Sequence, residues 1–455
     1  MPPARKADRS TKREPAAPPS SVADQPRPHE QRNFLLIVIY QVVMRTGWIF
    51  KTESVIMPAV LDVLSGNSDS LRGWLPFLNR FGQSVPPLLM ARRMKILPKK
   101  KYAFIATTTA MALSFAGLTA IFVVPGMMQH WATPWLYLTL YAIFFMAVGV
   151  NALAYNTLQG KLIRVTRRGR LLMIADTLGA GTAIACAILL LMQWLREDSA
   201  DFHYIFAFST ALFAIATITS WLLKESRDDH QEPQRPLWMP FVTAWQTLRD
   251  DANFRRLGLV AALFSCSLLL FPHYQALAGR ELEMGYSYLV WFLVAQNVGT
   301  AIFSLITGPI ADRTGNRMPL RILTLAICAA PELALILVSW SDRDPGQIQS
   351  YRYAYFAVFL LVGMTPVAQK TLNNYTLEIS APEDHARYLS TLSLCMAAPI
   401  FASPLVGWLI ALVGFPPVYH GVTALLLAGA LLSATLVEPR HKAETTEVVT
   451  TDETL

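Results

Sequence analysis

Charged residues and cysteines are both scarce in this sequence. Asp, Glu, Lys and Arg make up 15% of the 455 residues, whereas 53% of the residues are hydrophobic. Soluble domains usually carry about 25% charged residues, so the shortage argues against a soluble enzyme. The four cysteines show no pairing or metal-ligand spacing, and we interpret them as packing residues without redox chemistry. They lie singly within apolar runs, at Cys186, Cys266, Cys328 and Cys395.

Catalytic motifs are also missing. The sequence has no phosphate-binding glycine loop with a lysine, no cluster of metal ligands, and no nucleophile, base and acid at a plausible spacing. We therefore expect neither an enzyme nor a bound cofactor or metal.

Long apolar runs dominate the sequence from Phe34 onward. They are about 20 residues long and alternate with short polar turns, the length at which a helix crosses roughly 30 Å of hydrocarbon. We predict an all-α polytopic membrane protein with twelve transmembrane helices. The predicted spans, numbered 1 to 12 in chain order, are 34–62, 71–91, 102–124, 135–158, 171–193, 202–223, 257–279, 286–307, 320–340, 353–378, 388–412 and 416–437.

Positive charges are distributed unevenly between the two sides of this plan. Thirty Lys and Arg residues fall on the side that both termini share, and five fall on the other side. Because loops rich in Lys and Arg stay in the cytoplasm, we predict a protein of the plasma or inner membrane with both termini cytoplasmic. The formal net charge of +8 is explained by this orientation, so we expect no nucleic-acid partner.

The chain divides into two similar halves. Six spans on each side of the longest interior connection occupy nearly equal lengths, as in a parallel repeat. We predict one six-helix bundle at 34–223, a second at 257–437, and a cytoplasmic linker at 224–256. Within the linker, Phe241–Arg256 has the pattern of an amphipathic helix on the membrane surface.

The two ends of the sequence have little apolar content. Residues 1–33 are rich in Pro, Ala, Ser and Arg, and they lack the short apolar segment of a cleavable signal peptide. Such segments cannot bury enough apolar surface to fold. We predict disordered cytoplasmic tails at 1–33 and 438–455.

A charged segment between spans 8 and 9 carries a recognisable pattern. It reads Gly308-Pro-Ile-Ala-Asp312-Arg313-Thr-Gly315-Asn-Arg317, and it resembles the cytoplasmic signature loop of the major facilitator superfamily, Gly-x-x-x-Asp-Arg-x-Gly-x-Arg. We expect Gly308 to permit close approach of a neighbouring helix and Gly315 to form the turn. Taken alone, an ordinary positively charged loop with one acid would also explain the segment.

Two further loops support the resemblance. The loops after spans 4 and 10 end at Arg170 and Arg387, and both resemble loops that this family carries at those places. Together with twelve spans, the resemblance covers residues 34–437. It implies two bundles that rock about a central site, with spans 1, 4, 7 and 10 around the substrate path.

The first-half counterpart of the signature loop departs from the family pattern. Aligning Pro87 with Gly308 places Ala91 where the family has an acid. In relatives, the acid of the second-half loop lies near the start of span 5, where helix amides favour an anion. We therefore expect Asp312 to close the cytoplasmic side by meeting that helix start. The gating candidates are Gly308, Asp312, Arg313, Gly315, Arg317, Arg168 and Arg170.

Polar side chains inside the membrane are costly and usually face a cavity or a partner. Span 10 is the most polar, with Gln369 and Asn373 on one stripe and Lys370 on a second stripe beside it. For Arg45 in span 1, an internal ion pair and a substrate contact are both open; for Arg80 in span 2, we favour a structural pair. The substrate-binding candidates are Arg45, Trp48, Asn151, Tyr155, His273, Gln275, Gln369, Lys370 and Asn373.

Four titratable residues within the spans are candidates for coupling to a proton or cation. They are Glu53, Asp176, His273 and Glu332. Phe271-Pro272 interrupts span 7 beside His273, although a lone histidine is more often a hydrogen-bonding partner than a proton carrier. Glu332 is expected to be neutral, paired or turned inward.

The resemblance implies a secondary active transporter that moves a small solute by alternating access, and we expect it to be monomeric and ion-coupled. The alternative is a transport-inactive sensor or membrane assembly factor with the same architecture. An excess of cations over acids within the spans leans towards an anionic or zwitterionic solute.

Overall fold

A computed structural model describes residues 27–196, 199–227, 238–381 and 384–437. Within these residues the named elements are helices, apart from an isolated β-bridge between Leu195 and Ala200. The predicted all-α class is confirmed. Most of the tails and residues 228–237 of the linker lie outside the described residues.

Each predicted span corresponds to a helix or to consecutive helical pieces. The first half comprises Glu30–Ile49 with Ile56–Ser65 (span 1), Trp74–Ile96 (span 2), Lys101–Val123 (span 3), Thr133–Leu162 (span 4), Val165–Cys186 continuing to Trp194 (span 5) and Phe202–Leu222 (span 6).

The second half repeats this number of spans. It comprises Ala252–Ser265 with Phe271–Glu281 (span 7), Ser287–Thr314 (span 8), Arg317–Ala326 with Ala329–Arg343 (span 9), Ile348–Val362 with Thr365–Ile379 (span 10), His385–Ala397 with Ser403–Val413 (span 11) and Phe415–Ser433 (span 12).

Ten of these twelve spans, spans 3 to 12, are long and apolar enough in the described residues to cross a membrane by length and composition alone. Spans 1 and 2 fall short because polar residues lower their hydropathy and because span 1 is divided into two helices. Span 1 holds Glu30, Arg32 and Arg45, and span 2 holds Arg80 and a basic end.

Span 1 is interrupted, whereas the sequence predicted one continuous helix at 34–62. The Thr52 hydroxyl donates to the Ile49 carbonyl at 2.7 Å, and the Thr52 carbonyl accepts from the amides of Ile56 and Met57. The first helix therefore ends at Ile49 and the next begins at Ile56. This break places the backbone and side chains of residues 51–54 in the interior of the protein.

The halves repeat the same close helix crossing. In the first half, a Cβ on Gly149 of span 4 would lie 2.4 Å from the Gly82 carbonyl of span 2. In the second half, a Cβ on Gly363 of span 10 would lie 2.1 Å from the Gln296 carbonyl of span 8. Only glycine allows these backbones to approach so closely.

Both ends of the membrane domain lie at one end of the bundle. Asn33 at the start of span 1 donates to the Lys224 carbonyl after span 6 at 2.9 Å. Val437 after span 12 donates to Asn253 at the start of span 7 at 3.1 Å. We call this end the terminal face, and the opposite end, which contains residues 65–73 and 281–287, the far face.

Two predicted boundaries move because of local contacts. Span 1 begins at Glu30, which pairs with Arg164 at 2.9 Å, so residues 30–33 belong to the bundle rather than to the tail. Asp251 accepts from the Phe254 amide at 2.9 Å and caps span 7. The surface helix is consequently Met239–Asp250, with exposed Trp245, and not the predicted 241–256.

Candidate functional site

A cavity of about 870 Å³ lies between the two halves. Its volume is within the range of small-molecule sites, roughly 300–1,000 Å³. Spans 1 to 5 line it from the first half, and spans 7, 8, 10 and 11 line it from the second. Such a cavity can contact one solute from both bundles at once.

Contacts between the halves close the cavity towards the far face. The Ser403 hydroxyl of span 11 donates to the Gly73 carbonyl at 2.5 Å and accepts from the Phe77 amide at 3.0 Å. The Ser54 hydroxyl donates to Gln296 of span 8 at 2.7 Å. These bonds join spans 1 and 2 to spans 8 and 11 at the closed end.

A pair of glycines brings the two halves into backbone contact at the far face. A Cβ on Gly73 would lie 2.7 Å from the Ser403 carbonyl, and a Cβ on Gly407 would lie 2.5 Å from the Asp69 carbonyl. Real Cβ atoms do not approach backbone this closely. The closed far face therefore depends on the absence of side chains at both positions.

Buried charges flank the glycine pair. Arg72 is fully buried; its Nε donates to Asp62 at 2.9 Å, and its guanidinium also pairs with Asp69. Arg280 of span 7 reaches across from the second half to Asp69 at 2.7 Å. We call Asp62, Asp69, Arg72 and Arg280 the far-face cluster. The sequence interpretation missed it, although three of its members lie within eleven residues around one loop.

Five of the predicted substrate-binding residues line the cavity, and some of them already have protein partners. Arg45 pairs with Asp176 of span 5 at 2.5 Å, and both side chains are about half exposed or more. Asn151 accepts from the Tyr40 hydroxyl at 2.6 Å and donates to Thr107 at 2.9 Å. The lining members are Arg45, Trp48, Asn151, Tyr155 and Gln369.

The other four predicted substrate-binding residues do not line this cavity. His273 is fully buried and neither ring nitrogen has a partner within the described residues. Gln275 lies on the same helix, and its side-chain carbonyl is also buried without a partner there. Lys370 is exposed. Asn373 is partly buried and lies one helical turn nearer the terminal face than Gln369. Because a straight helix presents one face to a cavity, the stripe that contains Lys370 points elsewhere.

The candidate coupling residues separate into two groups. Glu53 and Asp176 line the cavity, where Glu53 pairs with the buried Lys51 at 2.6 Å. The Lys51 ammonium also lies 3.3 Å from the centre of the Trp48 ring. Glu332 instead pairs with His420 of span 12 at 3.0 Å, outside the cavity lining. Of the three states expected for Glu332, the structure shows the paired one.

Comparison with solved structures places this arrangement in a known fold. A mutant form of the nucleoside transporter NupG is 12% identical with a TM-score of 0.65, covering 90% of this chain and 100% of that one. A D-xylose-proton symporter is 12% identical with a TM-score of 0.62, covering 89% and 98%. A bacterial homologue of the iron transporter ferroportin, in an inward-facing state, is 13% identical with a TM-score of 0.61, covering 89% and 98%.

The sequence model of the Major Facilitator Superfamily matches residues 269–452. The chain resembles this superfamily over that stretch, and its fold resembles those of the solved transporters. The predicted family resemblance is confirmed, and the subfamily is not assigned. A search of curated protein sequences finds no significant match.

Span 2 contributes more to the cavity than the sequence interpretation allowed. Pro76, Asn79, Arg80 and Gln83 all line the cavity; their spacing of three and four residues places them on one helix face. Arg80 makes no hydrogen bond or ion pair with any residue that the structure describes. The preference for a structural pair at Arg80 was therefore wrong. The family analogy had placed this helix beside the core. The three- and four-residue spacing of its polar side chains could have indicated that one face of the helix lines the cavity.

The segment that resembles the signature loop is mostly helical. Span 8 continues through Asp312 to Thr314, and the turn is formed by Gly315, whose φ is +78°. The Asn316 side chain donates to Glu378 at the end of span 10 at 2.9 Å. The prediction for Gly315 is confirmed, whereas that for Gly308 was wrong: a Cβ there would meet nothing within 4 Å.

The expected partner of the signature acid is engaged elsewhere. Arg168 donates to the carbonyls of Gly160 at 2.8 Å and Ile163 at 3.2 Å, where it caps the end of span 4. Asp312 is exposed at the terminal face. Contact between Asp312 and the start of span 5 stays a prediction.

Proposed function

We propose that this protein is a secondary active transporter that moves a small solute by rocking its two halves about the central cavity. The observation that carries the proposal is a cavity shared by both halves and closed by polar and backbone contacts at the far face. Similar folds occur in a nucleoside transporter and a D-xylose-proton symporter. A sensor or assembly factor would not need solute-sized space lined by Asn79, Gln296 and Gln369.

Two ion pairs in the cavity are suited to coupling solute movement to a proton or cation. Asp176 is paired with Arg45, and Glu53 is paired with Lys51. Protonation or cation binding at either carboxylate would weaken its pair and free a basic side chain in the cavity. We propose these two carboxylates as the coupling groups. His273 and Glu332, the other two candidates, do not line the cavity.

The far face is closed in this structure, and we propose that the terminal face opens to the cytoplasm. The 30 to 5 distribution of positive charges supports this orientation. In a background without the four native cysteines, a cysteine at position 235 should react with an impermeant thiol reagent only from the cytoplasm. Labelling of that position from outside intact cells would contradict the orientation.

Gln369 offers a test of the solute site. It lines the cavity from span 10, and no protein hydrogen bond occupies its side chain among the described residues. A solute found by thermal-shift screening of the purified protein should lose about 5- to 10-fold in affinity in Gln369→Ala, since a lost hydrogen bond is worth roughly 1 kcal/mol.

The neighbouring residue supplies a matched control. Lys370 is exposed and outside the cavity lining, so Lys370→Ala should leave the affinity within about twofold. Equal affinity losses in both variants would contradict the assignment of the cavity face. A protein that no solute stabilises and that transports none would instead favour the sensor or assembly alternative.

A further inference from the structure

The closed end of the cavity contains one basic side chain without a bonded partner in the part of the chain that the structure describes. Arg80 projects from the polar face of span 2, beside Asn79 and Gln83, and lines the cavity. The Glu53 carboxylate attracts it through space, but no ion pair forms between them and Glu53 is bonded to Lys51. A partly buried guanidinium with no bonded protein partner attracts an anionic group.

The other cations of the cavity are already neutralised. Arg45 is paired with Asp176, and Lys51 is paired with Glu53. The ionisable acids and bases lining the cavity are therefore three cations and two carboxylates among the described residues. The surplus is a single positive charge, and it is located on Arg80.

Neutral hydrogen-bonding groups surround this charge on both halves. The Gln83 amide donates to the Asn79 side-chain carbonyl, which leaves the Asn79 amide nitrogen available as a donor. From span 8, Gln296 accepts from Ser54 through its carbonyl, so its amide nitrogen is also available. Two amide donors next to a guanidinium suit an oxyanion that bears further polar groups.

We propose that Arg80 binds the anionic group of the transported solute, and that the solute is a small polar monoanion of the monocarboxylate class. The planar guanidinium matches a carboxylate with two parallel hydrogen bonds. A single negative charge on the solute balances the single surplus charge of the cavity. The amides of Asn79 and Gln296 receive the remaining polar groups, one from each half. This assignment rests on the proposed transport function.

The experiment uses full-length protein in proteoliposomes and an equimolar mixture of matched solutes. The pairs are lactate with lactamide, glycerate with glycerol, and gluconate with glucose, together with succinate, lysine and inorganic phosphate. The mixture is placed on either side of the membrane with and without a proton gradient, and protein-dependent movement is quantified by mass spectrometry. We expect a monocarboxylate to move, and its neutral counterpart to move at least tenfold more slowly.

Three variants locate the selectivity. Arg80→Gln should lower movement of the monocarboxylate by roughly 10- to 100-fold, the range expected for a charge-assisted bidentate contact. Arg80→Lys keeps the positive charge but cannot form the two parallel hydrogen bonds of a guanidinium, and it should move the monocarboxylate faster than Arg80→Gln and more slowly than wild type. Arg343→Gln is the matched control, because Arg343 is exposed and lies outside the cavity, and it should behave as wild type.

The outcomes separate the two proposals. Movement of only neutral, cationic or dianionic solutes, or of phosphate alone, would leave the transport function intact and overturn the monocarboxylate assignment. Full monocarboxylate movement by Arg80→Gln would overturn the role of Arg80. If the wild-type protein moves no member of the mixture on either side, the transport function and the solute assignment fail together.

Discussion

Arg72→Met should lower the free energy of unfolding by about 3 kcal/mol, the cost of removing one partner from a buried ion pair. Arg72 is fully buried and bonds to both Asp62 and Asp69. Without it, two carboxylates face each other at the far face, and only Arg280 remains to compensate Asp69. Methionine has about the volume of the aliphatic part of arginine. The loss in free energy of unfolding therefore reflects removal of the charge rather than formation of a cavity. Unfolding in mixed micelles with increasing denaturing detergent would measure it.

A second substitution distinguishes charge from packing. Asp62→Asn combined with Arg72→Met removes one buried negative charge along with the cation, and the double variant should be more stable than Arg72→Met alone. Arg343→Met, at an exposed position, should be within about 0.5 kcal/mol of wild type. If the double variant is less stable than the single one, repulsion between the carboxylates is not the cause of the loss.

Gly407→Val should prevent the far face from closing. Its Cβ would lie 2.5 Å from the Asp69 carbonyl and 2.8 Å from the Gly73 Cα, both of them backbone atoms that cannot rotate away. Overpacking of this kind costs typically 1–3 kcal/mol, which corresponds to a shift of roughly 5- to 150-fold between two conformations. A cysteine at position 79, at the closed end of the cavity, should therefore react faster with a reagent supplied from the far face.

Gly421→Val is the matched control for this shift. Gly421 is an exposed glycine of span 12, and a Cβ there would meet nothing within 4 Å, so reactivity at position 79 should not change. Asp312→Asn should move the reactivity in the opposite direction, if Asp312 holds the terminal face closed. Unchanged reactivity in a folded Gly407→Val protein would show that another contact sets the closure.

The spans could be predicted from the sequence because each apolar run must satisfy its own backbone as a helix in lipid. The break in span 1 could not be predicted, since it depends on local bonds of Thr52 inside a run that is apolar on both sides. Gly315 was predictable because its positive φ is a local requirement of the turn. Gly308 belongs to the same motif, but a Cβ placed there has no neighbour within 4 Å. The motif alone therefore did not determine whether a helix packs against this glycine.

The site residues were harder to predict because their partners are distant in the chain. Arg45 and Asp176 were both recognised as candidates, yet nothing local indicates that they form one pair across 131 residues. Span 10 showed two polar stripes, and only the helix rotation determines that Gln369 and not Lys370 meets the cavity. For Arg80, the spacing of polar residues in span 2 was sufficient to predict a position in the cavity lining. The family analogy instead suggested a position beside the core, and that suggestion was wrong.

The far-face cluster also bears on the order in which the two halves fold. Asp62 and Asp69 are neutralised by Arg72, which is only ten residues from the first and three from the second. The first six spans therefore have these buried acids compensated before span 7 is synthesised. Arg280, which comes 211 residues after Asp69, adds its bonds to Asp69 and to the Asn67 carbonyl when the second half docks. We therefore expect the first half to fold before the second half is synthesised, as domains that fold during synthesis do.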